Sequence, residues 1–416
     1  MVMTRRELVA GLSALGVVGC DTGGVAPAVP KPPRPADPPL AAAPNAGFDA
    51  WVAGFKGRAR ARGLSGATLT RAFANAGYLP GVVTRDRSQF QTRRTLEDYL
   101  AISASDDRVA TGRAAMRRHA ATLSQIEARY GVEAKVLGAI WGMESRYGAR
   151  RGNTPVVSAL ATLAYAGRRG AFFESQLIAA LKILERGDIT PERMTGSWAG
   201  AMGHTQFIPT TYQAYAVDFD GDGRRDVWGA DPTDALASAA HYLKKSGWRT
   251  GRPWGLEVRL PNGFSAATGR SNRRNVAAWH ALGLRDMDGG RLPDHGAAAV
   301  LRLAGATGPA FLVFHNFDVL LRYNNTQKYG LAVGHLSDRL AGGGPVRGEF
   351  GVDANGMTLV QRKELQRRLS AKGFDAGDPD GVIGKATIAA IRAYQAAKGM
   401  AVDGTPTLAL LRHLGG

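Results

Sequence analysis

From Phe48 to about Leu340, Ala-rich stretches with apolar residues at helical spacing alternate with Gly or Pro breaks, at Gly131, Gly148, Gly187-Asp188 and Pro209. Segments with a period near 3.6 bury one stripe each, so a chain written this way folds as helices packed around a shared core. The pattern weakens between about Trp254 and Val313. There Leu256, Val258 and Leu260 alternate ahead of Pro261-Asn262-Gly263, and Val300, Leu301 and Leu303 suggest further short strands. The expectation is a mainly α domain over 48–341, of α+β type, with a small β-containing insertion. At 416 residues the chain has room for that domain and at least one more.

Gly342-Gly343-Gly344-Pro345 opens a linker over 342–352. The remainder, 353–416, contains an internal echo. Leu365-Gln366 begins a helical stretch ending at Lys372-Gly373-Phe374, with Asp380-Gly381 after it; Tyr394-Gln395 leads to Lys398-Gly399-Met400, with Asp403-Gly404 after it. Each half is an amphipathic helix stopped by Gly and followed by an Asp-Gly turn, which predicts a small helical domain of its own.

The amino terminus carries a compartment signal. Arg5-Arg6 precedes a short apolar run, Leu8 to Val18, too short to span a bilayer, which meets Gly19-Cys20. Residues 1–20 read as an export leader. Val17-Val18-Gly19-Cys20 resembles a lipobox, in which Cys20 becomes the acylated first residue, and Thr4-Arg5-Arg6-Glu7-Leu8 resembles a twin-arginine signal. A plain leader with an incidental cysteine is the alternative. Residues 21–46, rich in Pro, Ala, Gly and Asp, read as an extended tether. A single cysteine excludes a disulfide framework. A balance of 53 Lys+Arg against 35 Asp+Glu gives +18, which calls for an anionic partner; export argues against nucleic acid and leaves anionic lipid or an acidic wall polymer.

Three stretches could carry chemistry. In Val136-Leu-Gly-Ala-Ile-Trp-Gly-Met-Glu-Ser-Arg-Tyr-Gly148, Leu137, Ile140, Trp141 and Glu144 share one helix face, with Gly148 as the expected stop. A carboxyl on the apolar side of a helix's last turn has its charged form disfavoured by burial and by the helix dipole, which suits a general acid for a glycosidic bond. The other reading is a Glu paired with Arg146 or another cation. Gly196-Ser-Trp-Ala-Gly-Ala-Met-Gly-His-Thr-Gln-Phe-Ile-Pro209 is rich in small residues, either so that a sugar chain can lie against main chain beside Ser197 and Gln206, or so that backbones can pack closely. Asp218-Phe-Asp220-Gly-Asp222-Gly-Arg224-Arg-Asp226 matches the first half of a calcium loop, or is a solvated acidic turn. Its twelfth position is Gly229, so Asp231 or Asp234 would supply the last ligand. Arg168-Arg169 and the run Tyr323-Asn324-Asn325-Thr326-Gln327-Lys328-Tyr329 suit carbohydrate and carboxylate recognition, or plain surface. His204, His241, His280 and His315 show no ligand spacing and read as ordinary histidines.

Together these stretches resemble the lytic murein transglycosylases of the membrane-bound B family, which have a goose-lysozyme-like catalytic domain. Trp141-Gly-Met-Glu-Ser-Arg-Tyr-Gly148 is similar to the catalytic motif, and Ser197-Trp-Ala-Gly-Ala-Met-Gly203 with Gln206-Phe-Ile-Pro209 to the second signature. Asp218 to Trp228 is similar to the calcium loop, and Leu321-Arg-Tyr-Asn324 to the late signature. The resemblance covers roughly 48–340. The carboxy-terminal part resembles the type 1 peptidoglycan-binding domain, through Leu365-Gln366, Asp380-Gly-Val-Ile-Gly384, Thr387 and Tyr394-Gln395.

The resemblance implies cleavage of the β-1,4 bond between N-acetylmuramic acid and N-acetylglucosamine without water, leaving 1,6-anhydromuramoyl ends. It puts the catalytic acid/base on Glu144 and a sugar groove on Ser197, Gln206, Tyr242, Tyr323, Asn324 and Tyr329, with Arg168-Arg169 contacting substrate. It puts a structural Ca2+ on Asp218, Asp220, Asp222, the Arg224 carbonyl and Asp234, two extra residues before Pro232 setting the last ligand apart from the family pattern. No cofactor is needed for the chemistry, and the partners are peptidoglycan strands and a membrane reached through lipid on Cys20. The expected form is a monomeric periplasmic lipoprotein. Two other readings remain open: a muramidase that uses water, and a non-catalytic peptidoglycan-binding envelope lipoprotein.

Overall fold

The computed structural model describes residues 40–87 and 94–415. The leader, Cys20 and the tether up to residue 39 lie outside the described residues. The main domain opens with α1 (Ala46–Ala61), α2 (Gly66–Phe73), α3 (Pro80–Arg87), α4 (Leu96–Ser103), α5 (Asp106–Arg118), α6 (Ala120–Tyr130) and α7 (Ala134–Ser145). The side chains of Asn45, Ser65, Thr95 and Ser105 accept the third N–H of α1, α2, α4 and α5, satisfying donors a helix start leaves open. Gly131 closes α6 in the left-handed conformation, as its position in the sequence predicts.

Next come a two-residue strand β1 (Thr154–Pro155), α8 (Val156–Ala166), α9 (Gly170–Arg186) and β2 (Thr195–Gly196), which pairs antiparallel with β1. α8 is buried from Val156 to Leu163 and lies at the centre of the domain. Its two hydroxyls are satisfied there, Ser158 and Thr162 accepting the N–H groups of Gly77 and Leu79. α10 (Pro209–Tyr215) and α11 (Thr233–Lys245) complete this half.

The insertion follows as β3 (Gly255–Arg259), α12 (Val276–Ala281), β4 (Arg285–Asp286), β5 (Ala299–Leu301) and β6 (Ala310–Val313). Its antiparallel sheet runs β4-β3-β6-β5 and covers a separate core of Val258, Val276, Trp279, Val300, Leu312 and Phe314. β3 and β5 fall where alternation predicts strands. β6 is buried on both faces, and a continuous apolar run of four carries no period-2 signal.

α13 (His315–Tyr323) and α14 (Gln327–Leu340) return to the main core, where α14 packs on α7, α4 and α5. The carboxy-terminal domain is α15 (Leu359–Ala371), α16 (Lys385–Ala397) and α17 (Leu408–His413) around Leu365, Leu369, Ile391, Tyr394 and Leu410. The echo has a structural cause. Gln366 accepts the Gly381 N–H at 2.6 Å and donates to Asp380; Gln395 accepts the Gly404 N–H at 2.9 Å and donates to Asp403. Each half uses one helical Gln to clamp one Asp-Gly turn.

The linker is strapped to the main domain rather than free. Val346 and Phe350 pack on the main core, the Glu257 carboxylate accepts the N–H groups of Arg347 and Gly348, and Arg347 reaches Asp288 at 2.8 Å.

Candidate active site

α7 buries Val136, Leu137, Ile140 and Trp141, and Glu144 emerges one turn later, half-buried at the edge of the packed face rather than enclosed by it. The helix ends at Ser145, three residues before the glycine expected to stop it. Arg146, Tyr147 and Gly148 follow with φ of 51°, 57° and 88°. Two consecutive side-chain-bearing residues in the left-handed region cost roughly 1–3 kcal/mol each, so the surroundings must impose the turn. Ser145 Oγ accepts the Gly148 N–H at 3.0 Å. The Tyr147 ring fills a slot above Gly112 and Gly142, where any Cβ would collide with it. Arg146, which follows the last residue of the helix, donates to Asp107 at 2.6 Å.

The Tyr329 hydroxyl donates to Glu144 Oε1 at 2.7 Å. Tyr329 lies in the first turn of α14, where its N–H is capped by Thr326, and its ring stacks on Tyr323 with centroids 6.5 Å apart. Tyr323 meets Tyr242 edge-on at 5.3 Å. Their hydroxyls donate to main-chain carbonyls, Tyr323 to Thr205 and Tyr242 to Arg322, both at 2.6 Å. These three predicted groove residues therefore form one aromatic row leading to Glu144. Asn324 is buried beside it and accepts the Thr326 hydroxyl. Tyr99 on α4 feels the same carboxyl: burial first, then the Glu144 charge, push its phenol up to about 12, so it stays protonated. From α5, Arg108 Nη1 donates to the Gly142 carbonyl at 2.9 Å and holds the last turn of α7.

The second signature is a tight double turn in which Met202 bridges both Gly196 and Phe207. Its glycines serve close packing: a Cβ at Gly200 would strike Leu160, and one at Gly203 the Val227 carbonyl. Ser197 Oγ accepts the Ala201 N–H at 3.0 Å. Gln206, at φ 52°, donates its amide to the Arg151 and Gly203 carbonyls at 2.9 and 2.8 Å, so those donors brace the loop instead of pointing outward to a sugar. His204 is more than an ordinary histidine. Trp141 Nε1 donates to its Nδ1 at 3.0 Å, and its Nε2 meets the Gly229 carbonyl at 2.8 Å, an arrangement that fits the neutral ring with its proton on Nε2. Burial, with Arg151 alongside, holds its pKa below the usual histidine value.

Asp218, Asp220 and Asp222 bring carboxylate oxygens within 4.8 Å of one another, on a loop turned by left-handed Gly221 and Gly223. Converging carboxylates of this kind suit a hard cation such as Ca2+. Arg224 belongs to the same loop, its N–H donating to Asp222. Asp234 does not join the group: it is buried on α11, accepting the N–H groups of Phe219 and Asp226 at 2.8 and 2.9 Å, and burial and the Asp220 charge raise it to about 6. Its place is behind the loop, as a brace. Arg168 and Arg169 lie at the start of α9, Arg168 bonded to the side chain and carbonyl of Asp86 and Arg169 set over the Phe172 and Phe173 rings.

Sequence reasoning missed Tyr99, Arg108 and the role of His204. The first two sit on short helices 45 and 36 positions ahead of Glu144, and nothing local marks them. For His204, its position within a Gly-rich signature next to a buried Trp motif was the available signal.

The transglycosylase SLT domain family matches residues 47–338, and the putative peptidoglycan binding domain family matches residues 359–414. The chain belongs to the SLT transglycosylase family. Membrane-bound lytic murein transglycosylase B of Escherichia coli is 36% identical over 219 residues, 51% of this chain and 58% of that protein. The chain thus aligns with under two thirds of that relative's length. SltB3 from Pseudomonas aeruginosa is 49% identical across 89% of this chain and 100% of its own, with a TM-score of 0.73, and has been solved in complex with NAG-NAM-pentapeptide and with NAG-anhNAM-pentapeptide. Slt35 from Escherichia coli, solved in complex with calcium, is 29% identical over 71% of this chain and 93% of its own, with a TM-score of 0.60. The family accords with the lysozyme-like helical fold and its appended helical domain.

Proposed function

We propose that the chain is a lytic transglycosylase that cleaves the β-1,4 bond between N-acetylmuramic acid and N-acetylglucosamine in peptidoglycan, with Glu144 as its acid/base. The observation that carries this is Glu144 at the end of a rigidly capped helix, half-buried, with Tyr329 bonded to Oε1. The protonated carboxyl gives its proton to the leaving oxygen as the C1–O4 bond breaks. The substrate's own N-acetyl carbonyl stabilises the cationic C1, in place of the second carboxylate a standard glycosidase uses. The Glu144 carboxylate then takes the proton from the 6-hydroxyl as O6 bonds to C1. Glu144 ends protonated again and no water is consumed. The two SltB3 complexes, one with a muramoyl and one with an anhydromuramoyl ligand, favour this reading over a muramidase.

The aromatic row of Tyr329, Tyr323 and Tyr242 offers apolar faces to sugar rings, with Asn324 beside it. Ser197, Gln206, Arg168 and Arg169 shape the walls rather than the chemistry. Asp218, Asp220, Asp222 and the Arg224 carbonyl would hold a structural Ca2+, with no part in the reaction. No described helix is long and apolar enough to cross a membrane; attachment through lipid on Cys20, after export by a twin-arginine leader, would hold a monomer on the periplasmic side. The +18 charge would concentrate it on a wall whose stem peptides carry carboxylates.

Mass spectrometry of products released from purified sacculi tests the reaction. Anhydromuramoyl ends are expected. Reducing ends would make the protein a muramidase, and binding without products would make it a wall-binding lipoprotein.

A further inference from the structure

The carboxy-terminal domain does more than follow the catalytic domain in sequence. Arg362 on α15 is only 3% exposed, and its guanidinium is divided between the two domains. Nε donates to the Gly381 carbonyl at 2.7 Å, and Nη1 to the Met357 carbonyl and Asp353, all within its own domain. Nη2 crosses to the catalytic domain, meeting Glu97 at 2.5 Å and Asp98 at 3.3 Å. Those two acids form the first turn of α4, with side chains 13% and 24% exposed.

What α4 touches gives this contact a consequence. The residue after Asp98 is Tyr99, which packs on the main core, and α4 packs along α14. At the same end of α4, Lys328 donates to the Arg94 carbonyl just ahead of the helix, and Lys328 adjoins Tyr329, the residue bonded to Glu144. The strapped linker limits how far the carboxy-terminal domain can depart from this arrangement. A wall-binding module needing only to tether the enzyme would require neither a buried interdomain cation nor a fixed linker.

We propose that Arg362 is a positioning residue for catalysis: the carboxy-terminal domain, through its grip on Glu97 and Asp98, sets α4 against α14 and thereby holds Tyr329 on Glu144. The domain's docking would then govern turnover itself as well as residence on the wall. This rests on the Glu144 reading above.

The test uses the full chain carrying the paired substitutions Glu97→Gln and Asp98→Asn, which keep side-chain size and remove the acids. kcat and KM are measured on a short soluble GlcNAc–MurNAc oligomer, alongside pull-down on sacculi. The expected result is a fall in kcat of about ten- to hundredfold, the scale of a small misplacement of a catalytic group, with KM and sacculus binding unchanged. Arg362→Lys, made on the other domain, should repeat the loss if the paired variant folds poorly, because a lysine cannot divide its donors in this way. Wild-type kcat in folded variants, or a loss confined to KM on sacculi, would overturn the proposal. A wild-type protein inactive on both substrates would overturn the Glu144 reading instead, and this proposal with it.

Discussion

Tyr329 and Glu144, 185 residues apart in the chain, meet in a hydrogen bond of 2.7 Å from phenol to carboxyl oxygen. A donor to a charged acceptor contributes about 1.5–3 kcal/mol, so in the proposed reaction this bond stabilises the carboxylate that Glu144 becomes after giving up its proton. Tyr329→Phe keeps the ring stacked on Tyr323 and removes only the hydroxyl, so kcat on sacculi should fall about ten- to hundredfold with the fold intact. Glu144→Gln should lose about 10²–10⁴-fold, the range for general acid–base catalysis. Comparable rates in Tyr329→Phe and the parent would remove Tyr329 from the mechanism.

Arg108 reaches the same helix from behind. Its guanidinium gives a second bond to the Gly142 carbonyl, which also accepts the Arg146 N–H, next to a turn that carries two left-handed side-chain-bearing residues. Burial lowers its pKa from the ordinary guanidinium value while leaving it charged at neutral pH. Arg108→Met should destabilise the domain by about 1.5–3 kcal/mol, which in a catalytic domain of this size is a drop in Tm of about 2–5 °C by calorimetry. An unchanged Tm would mean the α7 turn holds without it.

Helix α7, the acidic loop, the insertion and the helical tail are legible in the sequence because each is a local pattern: a period, an Asp spacing, an Asp-Gly turn. Glu144 was legible as a carboxyl on an apolar face for the same reason. What could not be read was convergence. Tyr99 and Arg108 reach α7 from α4 and α5 by tertiary packing, and no periodicity encodes which side chains will face Glu144. Gly148 looked like the helix stop because glycine tolerates positive φ at no steric cost; the actual stop at Arg146 depends on Gly112 and Gly142 making room for Tyr147. Asp234 lay at a plausible ligand distance in sequence, but α11 carries it behind the loop, where backbone N–H groups claim both oxygens. The linker's Gly and Pro mark a break between domains but not its anchorage, which comes from Glu257 far upstream in the chain.

Two histidines are held neutral in the folded protein. Burial lowers His204 from 6.5, and burial with the nearby Arg339 charge lowers His335 to about 4. Unfolding lets both rise to the ordinary value, so the unfolded chain binds more protons in between and stability falls as pH drops from about 6.5 toward 4. Below the folded pKa the loss is complete. The displacement is worth about 1.4 kcal/mol per unit, and urea unfolding at pH 7, 6, 5 and 4 should show it. His335→Gln should flatten that slope; a slope identical to the parent's would assign the effect elsewhere.

The three aspartates make a last prediction that separates a metal site from a solvated turn. Each already accepts loop N–H groups, Asp218 from Gly221 and Gly223, Asp222 from Arg224, so the loop is shaped before any ion arrives. A cation that binds only the folded loop stabilises it by about 2.7 kcal/mol at a hundredfold excess over Kd. Millimolar Ca2+ should therefore raise Tm by several degrees over a chelated sample, and Asp220→Asn should abolish the rise. Asp234→Asn should behave differently. It leaves the three converging carboxylates in place but weakens the brace under Phe219 and Asp226, so Tm should fall in the chelated sample while a Ca2+-dependent rise persists. Loss of the Ca2+ response in Asp234→Asn would make that residue a ligand after all, and no response in the parent would leave the loop an acidic turn.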